Sequence, residues 1–363
     1  MDFKAICVIW NANSVKQKID ELIAFLHSNN VDILAISETK LTPNDRFYIQ
    51  NYNIIRQDRV DGTNAAGGVA ILVKKGISFS KLTLPRTTIE AVGIKLANQI
   101  HFIAIYNRPY YNISQRDLEN LNNIGNKVII AGDFNATHNT RGCHRNNTSG
   151  NTIYNLSVSN NIIINHPRSP THFPSNNSTP TVIDLILTKN FLLENDPQSL
   201  SQLNSDHNPV IFEISNLPKY NDNRQITSFK NTNWHNFRKD LDNKIQINHN
   251  ILTTEQLEHE INKFTKSIQK IRKKHSITRI VTSLRKDKIP DNIVNIIKTR
   301  NRAKKRMQVT GDTTIKPQIT ALNSQIKNLI REHKNNIWQT KLASLNPNDN
   351  SLWKMTLQVA YFF

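Results

Sequence analysis

The chain has 363 residues, enough for one large domain and a smaller region, and 37% of them are hydrophobic. No apolar run is long enough to span a bilayer, and Met1-Asp2-Phe3-Lys4 leads straight into a strand pattern without a secretory leader, so an intracellular protein with no membrane partner is expected. Cys7 and Cys143 are the only cysteines, and their spacing suggests neither a zinc site nor a disulfide framework. The net charge of +19 is unevenly spread. Residues 1–220 hold 20 Lys and Arg against 17 Asp and Glu; residues 221–363 hold 27 against 11. A near-neutral part joined to a strongly basic part points to a polyanion partner, with a solvated helical surface as the plainer alternative.

Residues 6–10 read as a strand that runs out into Asn11 and Asn13. Ser14 is a candidate N-cap for a helix over 15–27, with Ile19, Leu22, Ile23 and Leu26 as its apolar stripe. A second strand, 31–36, leads to Ser37-Glu38-Thr39 and completes a βαβ-like opening. Residues 67–73 form a strand entered through two glycines. Residues 91–96 and 100–106 read as a hairpin around Asn98-Gln99. Asn107-Arg108-Pro109 then breaks the pattern, and a short helix over 115–124 leads to the central stretch, 127–136.

In that stretch Val128, Ile129 and Ile130 suit a strand covered on both faces. Gly132 permits a turn or a close approach. Asp133 and Asn135 stand two apart and so project together in extended geometry. Such a pair can hold a hard cation, a phosphate or an attacking water, or it can simply make an Asx-type turn.

A polar loop is expected over 138–152, then a helix over 153–160 and a strand over 162–164. Cys7 reads as a small core residue, and Cys143 sits in the polar loop. Thr171-His172-Phe173-Pro174 opens a further loop. The strand 181–187 carries Asp184 inside an apolar run, and a buried acid needs a partner. His207, in Ser205-Asp206-His207 ahead of Pro209-Val210-Ile211-Phe212, is the candidate. Several strands ending in Asn, Glu, Asp or His imply one polar site at the rim of a sheet.

Composition changes near Asn216-Leu217-Pro218, beyond which strand patterns vanish. Helices are expected over about 234–247, 254–276, 288–308 and 315–343, with Pro290 and Pro317 near helix starts. Basic runs fall at 270–274 and 300–306. Trp338 and Trp353 read as packing residues, and residues 359–363 look like a cut chain or a changed reading frame.

Taken together, Trp10-Asn11-Ala12-Asn13, Ser37-Glu38-Thr39, Tyr106, Gly132-Asp133-Phe134-Asn135, Ile183-Asp184-Leu185 and Ser205-Asp206-His207 resemble the endonuclease/exonuclease/phosphatase superfamily. More narrowly, residues 1–215 resemble the apurinic/apyrimidinic-like endonuclease domain of jockey-like non-LTR retrotransposons. The resemblance implies a four-layered α/β sandwich over 1–216: two mixed sheets with outer helices. A basic, mostly helical linker over 217–363 would follow, preceding a reverse transcriptase that the chain lacks. No Tyr-x-Asp-Asp motif and no Cys/His zinc knuckle occurs, so polymerase activity is not expected. Asn107-Arg108-Pro109 departs from the paired prolines that often follow the family's tyrosine.

By the same resemblance Glu38 is the principal ligand of Mg²⁺, with Mn²⁺ as an alternative, helped by Asn11, while Asp206 binds a second ion or positions His207. Asp184 orients His207; either that pair or Asp133 activates the water. Asn135 holds the phosphate or the water, and Tyr106 donates to a phosphate oxygen. The activity implied is a Mg²⁺-dependent nick in double-stranded DNA, in the nucleus or also in the cytoplasm, leaving a 3′-hydroxyl that primes reverse transcription. Element RNA is a second expected partner, through the basic C-terminal region. Arg141, Arg145, Asn146 and Asn147 in the polar loop are candidate DNA contacts. A phosphatase of the same superfamily and an inactive nucleic-acid-binding remnant are the competing readings.

Overall fold

The computed structural model describes residues 3–61, 64–159, 162–174, 176, 178–217, 225–229, 232–245, 251–280 and 289–360. The expected helix ends at 160, 246–247 and 288, the composition break at Pro218 and the terminal residues 361–363 lie outside them. Contacts gather the chain into two compact units, 1–220 with 288–363, and 221–287.

The larger unit begins with β1 (Phe3–Asn11), α1 (Ile19–Ser28), β2 (Ile33–Ser37), β3 (Tyr52–Asp61), β4 (Asn64–Lys74) and β5 (Phe79–Leu82). It continues with β6 (Glu90–Leu96), β7 (Ile100–Tyr106), α2 (Gln115–Asn122), β8 (Lys127–Asp133), α3 (Thr148–Ser159), β9 (Ile162–Asn165), β10 (Asp184–Lys189), β11 (Gln198–Ser199) and β12 (Val210–Leu217). Two six-stranded sheets result, in the orders β11-β12-β1-β2-β4-β3 and β5-β6-β7-β8-β10-β9. Each is mixed: β1 pairs parallel with β2, and β7 with β8, while their other neighbours run antiparallel.

Alternation along the strands builds three apolar layers. Cys7, Ile9, Ala35 and Ile71 from one sheet meet Phe102, Ala104, Ile129 and Ile186 from the other, and Phe102 stacks parallel to Phe212. Val8, Trp10, Leu34 and Ile36 turn outward under Leu22, Phe25 and Leu26 of α1. Ile103, Val128, Ile130 and Leu185 turn outward under Leu118 and Leu121 of α2 and Ile153 and Leu156 of α3. Strands buried on both faces explain the unbroken apolar runs in the sequence, and the expected four-layered α/β sandwich is observed.

Two expectations fail locally, and strand β3 answers to none. Ser14 does not cap α1. The chain past β1 stays bonded to the end of β2 (Ala12 N to Ser37 O, 2.9 Å; Ser14 N to Glu38 O, 2.9 Å; Val15 N to Thr39 O, 3.1 Å), so the helix starts only at Ile19. The loop over 138–152 is shorter and more structured than expected. Asn139–Arg141 make a 3-10 turn, α3 begins at Thr148, and Cys143 is buried. The strand β3 carries Arg56, Asp58 and Arg59 in a half-exposed edge position, which is why its apolar pattern is faint.

The smaller unit holds β13 (Gln225–Ser228), α4 (Trp234–Lys244), α5 (Thr254–His275) and β14 (Ile277–Ile280). The antiparallel β13–β14 pair contradicts the expectation that strands vanish after 217; four residues each are too few for a periodic signal. Thr253 and Gln256 form a capping box at the start of α5. Asp240 of α4 joins Lys274 and His275 of α5 at 2.6 and 2.7 Å.

Three further helices, α6 (Asp291–Thr310), α7 (Lys316–Ala343) and α8 (Ser351–Ala360), belong to the larger unit. Trp338 and Trp353 were expected to pack, yet both are about half exposed or more. Among the described residues, no helix is long and apolar enough to cross a membrane.

Candidate active site

The parallel pairs β1–β2 and β7–β8 both run toward one rim, where β10 and β12 begin. Register places Asn11 beside Ser37, Tyr106 beside Asp133, and Asp133 opposite Asp184. Glu38 follows β2 directly, and His207 precedes β12. The carboxyl ends of β1, β2, β7 and β8 therefore deliver Asn11, Glu38, Tyr106, Asp133 and Asn135, and the amino ends of β10 and β12 deliver Asp184 and His207, to one crevice.

Glycines make this convergence possible. A Cβ on Gly132 would fall 2.1 Å from the carbonyl oxygen of Ile105 on the neighbouring parallel strand, and its φ is +151°. The close approach foreseen for Gly132 is to β7. Gly67 and Gly68, both at positive φ, accept from Lys40 N (2.8 Å) and Thr39 N (3.1 Å), which seats the Glu38 turn. Glu38 itself, with Asn13, Lys40 and Asn135, sits in the left-handed region; such strain gathers where surrounding structure dictates the backbone.

Asn11 is buried and its Nδ2 donates to Glu38 Oε1 (3.0 Å) and to Asp133 Oδ2 (2.8 Å). Its Oδ1 accepts from Asn13 N at 2.9 Å. In this orientation Asn11 bridges two carboxylates as a donor and does not offer its oxygen to a cation, so the expected ligand role is not what the geometry displays. Asp133 Oδ1 also accepts from Asn135 N (2.9 Å), while Asn135 Nδ2 donates to Asn107 O (2.7 Å). The departing residue Asn107 is itself buried, donating to Phe134 O and Tyr111 O, and so carries the turn after Tyr106.

His207 Nδ1 lies 2.8 Å from Asp184 Oδ2, and His207 Nε2 lies 3.9 Å from Asp133 Oδ2. All three are buried. Burial alone would lower the imidazole's proton affinity, but the Asp184, Asp133 and Asp206 carboxylates around it outweigh burial and raise it well above the ordinary value. Burial raises Asp133, and Asp184 adds to the rise, against the pull of His207. Burial, then the Glu38 and Asp133 charges, raise the Tyr106 phenol, which stays protonated. Burial would raise Asp206, but His207 and the Asn13 amide (3.3 Å) hold it below the usual carboxylate range.

One neighbour carries no sequence signal. His172 lies against His207 with ring centroids 4.5 Å apart and planes tilted by 32°, and its Nε2 is 3.8 Å from Asp206 Oδ2. Backbone bridges from His172 to Thr181 and His207 bring it there, and no local pattern announces a contact of that range.

The loop residues divide. Arg145, Asn146 and Asn147 are exposed. Asn146 Oδ1 accepts from Asn139 N, and Asn147 clamps the loop by accepting from Thr137 N and Gly150 N and donating to Asn135 O. Arg141 is buried, with Nη2 donating to Ala136 O at 3.2 Å. It supports the turn from beneath, which corrects its expected place on the surface. A cleft of about 450 Å³ beside Asn135, Asn147 and His172 is walled by Tyr110 and Tyr111.

Carboxylates dominate the donor set. Two His and Asp/Glu groups, Asp133-Asp184-His207 and His172-Asp206-His207, bring ligand atoms within 4.8 Å of one another. Glu38 and Asp133, held by a single amide nitrogen, add hard oxygen donors, and the buried Asp184 Oδ1 has no hydrogen-bond partner. This chemistry fits a hard divalent cation.

A model of the Endonuclease/Exonuclease/phosphatase family matches residues 8–207, more than half of the chain. The chain belongs to that family. Its matched span runs from β1 to His207 and so encloses the whole rim. The chain is also 26% identical over 369 residues to the Drosophila melanogaster "Probable RNA-directed DNA polymerase from transposon X-element" and 22% identical over 364 residues to the Drosophila funebris "RNA-directed DNA polymerase from mobile element jockey". Both alignments cover 96% of this chain, but it spans only about 40% of those relatives' length. Among solved structures, the endonuclease domain of TRAS1, a telomere-specific non-LTR retrotransposon, aligns with a TM-score of 0.49 at 18% identity, covering 58% of this chain and 98% of that one.

Proposed function

We propose that this family member is a divalent-metal-dependent DNA endonuclease of a non-LTR retrotransposon. It nicks double-stranded target DNA in the nucleus and leaves a 3′-hydroxyl that primes reverse transcription. The observation that carries the reading is the single crevice in which His207 meets Asp184 at 2.8 Å while Asn11 links Glu38 to Asp133. The relatives' names, RNA-directed DNA polymerases of a transposon and of a mobile element, support the biological setting.

Glu38 would hold Mg²⁺ or Mn²⁺, with Asp206 as the acid for a second ion. When bound, the ion supplies positive charge to the phosphate and the departing 3′ oxygen. The remaining work falls to the chain's own groups. His207, flanked by carboxylates, keeps its proton at neutral pH and so acts as a cationic donor to the phosphate. That leaves Asp133 as the base, because burial raises its affinity for the proton of the attacking water. The Tyr106 phenol donates to a phosphate oxygen as charge builds. Asn135, anchored through Asn107, orients the phosphate. The exposed Arg145 and Asn146 contact the DNA backbone, and exposed cations of α6 such as Arg302 and Lys305 offer a surface for element RNA.

Supercoiled plasmid tests this directly. Wild type with Mg²⁺ is expected to give open circles, and a chelator to stop the reaction. By the usual size of acid–base and electrostatic effects, Glu38→Ala and His207→Ala should each slow nicking about 10²- to 10⁴-fold. Release of inorganic phosphate from small esters without nicking would select the phosphatase reading; DNA binding without cleavage would select an inactive remnant.

A further inference from the structure

The basic run 300–306 divides by direction. Arg302, Lys305 and Arg306 are exposed, whereas Arg300 and Lys304 are buried. Arg300, Lys304 and Gln308 stand four apart and so share one face of α6. That face lies on the loop carrying Asp206 and His207. Lys304 Nζ donates to Leu203 O (3.0 Å), Ser205 O (3.1 Å) and Gln202 O (3.3 Å). One turn on, Gln308 Nε2 donates to Asn208 Oδ1 (3.0 Å), and Gln308 Oε1 accepts from Asn208 Nδ2 (3.1 Å) and Ser201 Oγ (2.6 Å). One turn back, the Arg300 guanidinium pairs with Glu21 of α1.

The loop needs such a seat. Leu203 has a φ of +57°, an uncommon conformation for a bulky side chain, and the carbonyls around it converge on one point. Converging carbonyl dipoles repel unless a cation sits among them. Burial and then the Arg300 charge push the pKa of the Lys304 ammonium down to about 7, and three carbonyls stand ready to accept its N–H groups. On the far side of the same loop, Ser205 Oγ donates to Asn11 O at 2.8 Å and His207 reaches Asp184. The loop is therefore gripped from both sides, and its height sets where the imidazole lies.

We propose that Lys304 is a positioning residue for the nuclease site: seated among the carbonyls of residues 202, 203 and 205, it holds the loop so that His207 meets Asp184 and Asp133. This rests on the nuclease reading above. Helix α6, which lies beyond the matched family span, is thereby part of the working site, and anything that lifts α6 would disarm it.

The test pairs Lys304→Met with Lys304→Arg in the full chain. Plasmid nicking is read as kcat and KM, and hydrogen exchange is read across residues 201–209. Because a small misplacement of reacting groups is enough to slow the chemistry, Lys304→Met should lower kcat about 10- to 100-fold with KM within about twofold, and Lys304→Arg should recover most of the loss. Exchange over 201–209 should rise in Lys304→Met while the strand amides stay protected. An unchanged kcat, a loss confined to KM, or unchanged exchange overturns the proposal. Should Lys304→Met fail to fold, Gln308→Leu removes the second grip and must show the same kcat loss and faster loop exchange. If wild type cuts no DNA, the nuclease reading fails, while the exchange comparison still decides whether Lys304 holds the loop.

Discussion

The catalytic rim and helix α6 handle charge in opposite ways. At the rim, acids and imidazoles from distant strand ends are buried together, each partnered by another site residue. Along residues 300–306 of α6 five cations crowd together, and the helical period sorts them into two that turn inward and three that face water. Clustering in sequence therefore says little about shared work. Residues 38, 133, 184 and 207 form one device, whereas residues 300 to 306 form two.

The largest effect expected from breaking this comparison is at the rim. Asp184→Asn keeps the shape but removes the charge that stabilises protonated His207. Nicking at neutral pH should fall about 10²- to 10⁴-fold, with folding measured by circular dichroism near wild type. Next comes Arg300→Met, which leaves Glu21 buried and unpaired. Thermal or denaturant melting should show a loss of about 3–5 kcal/mol, since removing one partner of a buried pair strands the other.

A third experiment follows pH in metal-free protein. The folded-state affinity of His207 for its proton is raised above the unfolded value, so the folded state binds the proton more tightly. Its contribution is fully present below the unfolded pKa of about 6.5 and is lost as pH rises through the raised folded value. Asp133, also raised, acts in the same direction from about pH 4 upward. Denaturation at pH 6 and pH 9 should therefore show wild type losing more stability than His207→Gln; a smaller loss in wild type would contradict the charge arrangement. The smallest effect is expected at Arg302→Ala. Stability should move by no more than about 0.5 kcal/mol, while the salt slope of DNA or RNA binding drops by about one if Arg302 meets a phosphate.

Much of the site was legible before any coordinates. Asn11, Glu38, Tyr106 and Asp133 each stand where an apolar run gives way to polar residues, and a strand end leaves that mark in the sequence; Asp184 reads as interior to its run, yet it opens β10. His172 was not legible, because it reaches His207 through isolated bridges between loops. Nor was the donor role of Asn11, which follows from two carboxylates lying on either side of its amide. Arg141 read as a surface cation because its loop is polar; only the 3-10 turn at 139–141 turns it inward.

By itself, the sequence determined most of the strands that build the two large sheets, because backbone period and side-chain chemistry are local; the short pair β13–β14 and the faint edge strand β3 left no such mark. It also determined the family and the types of side chain available for chemistry. The tertiary structure alone decided which of those ends share one crevice, which amide orientation links Glu38 to Asp133, and which face of α6 turns inward. Those choices depend on sheet register, on the close approach at Gly132, and on the carbonyls of residues 202, 203 and 205 converging on Lys304, about a hundred positions further along the chain. No local pattern encodes contacts over that distance, because they exist only once the layers have packed.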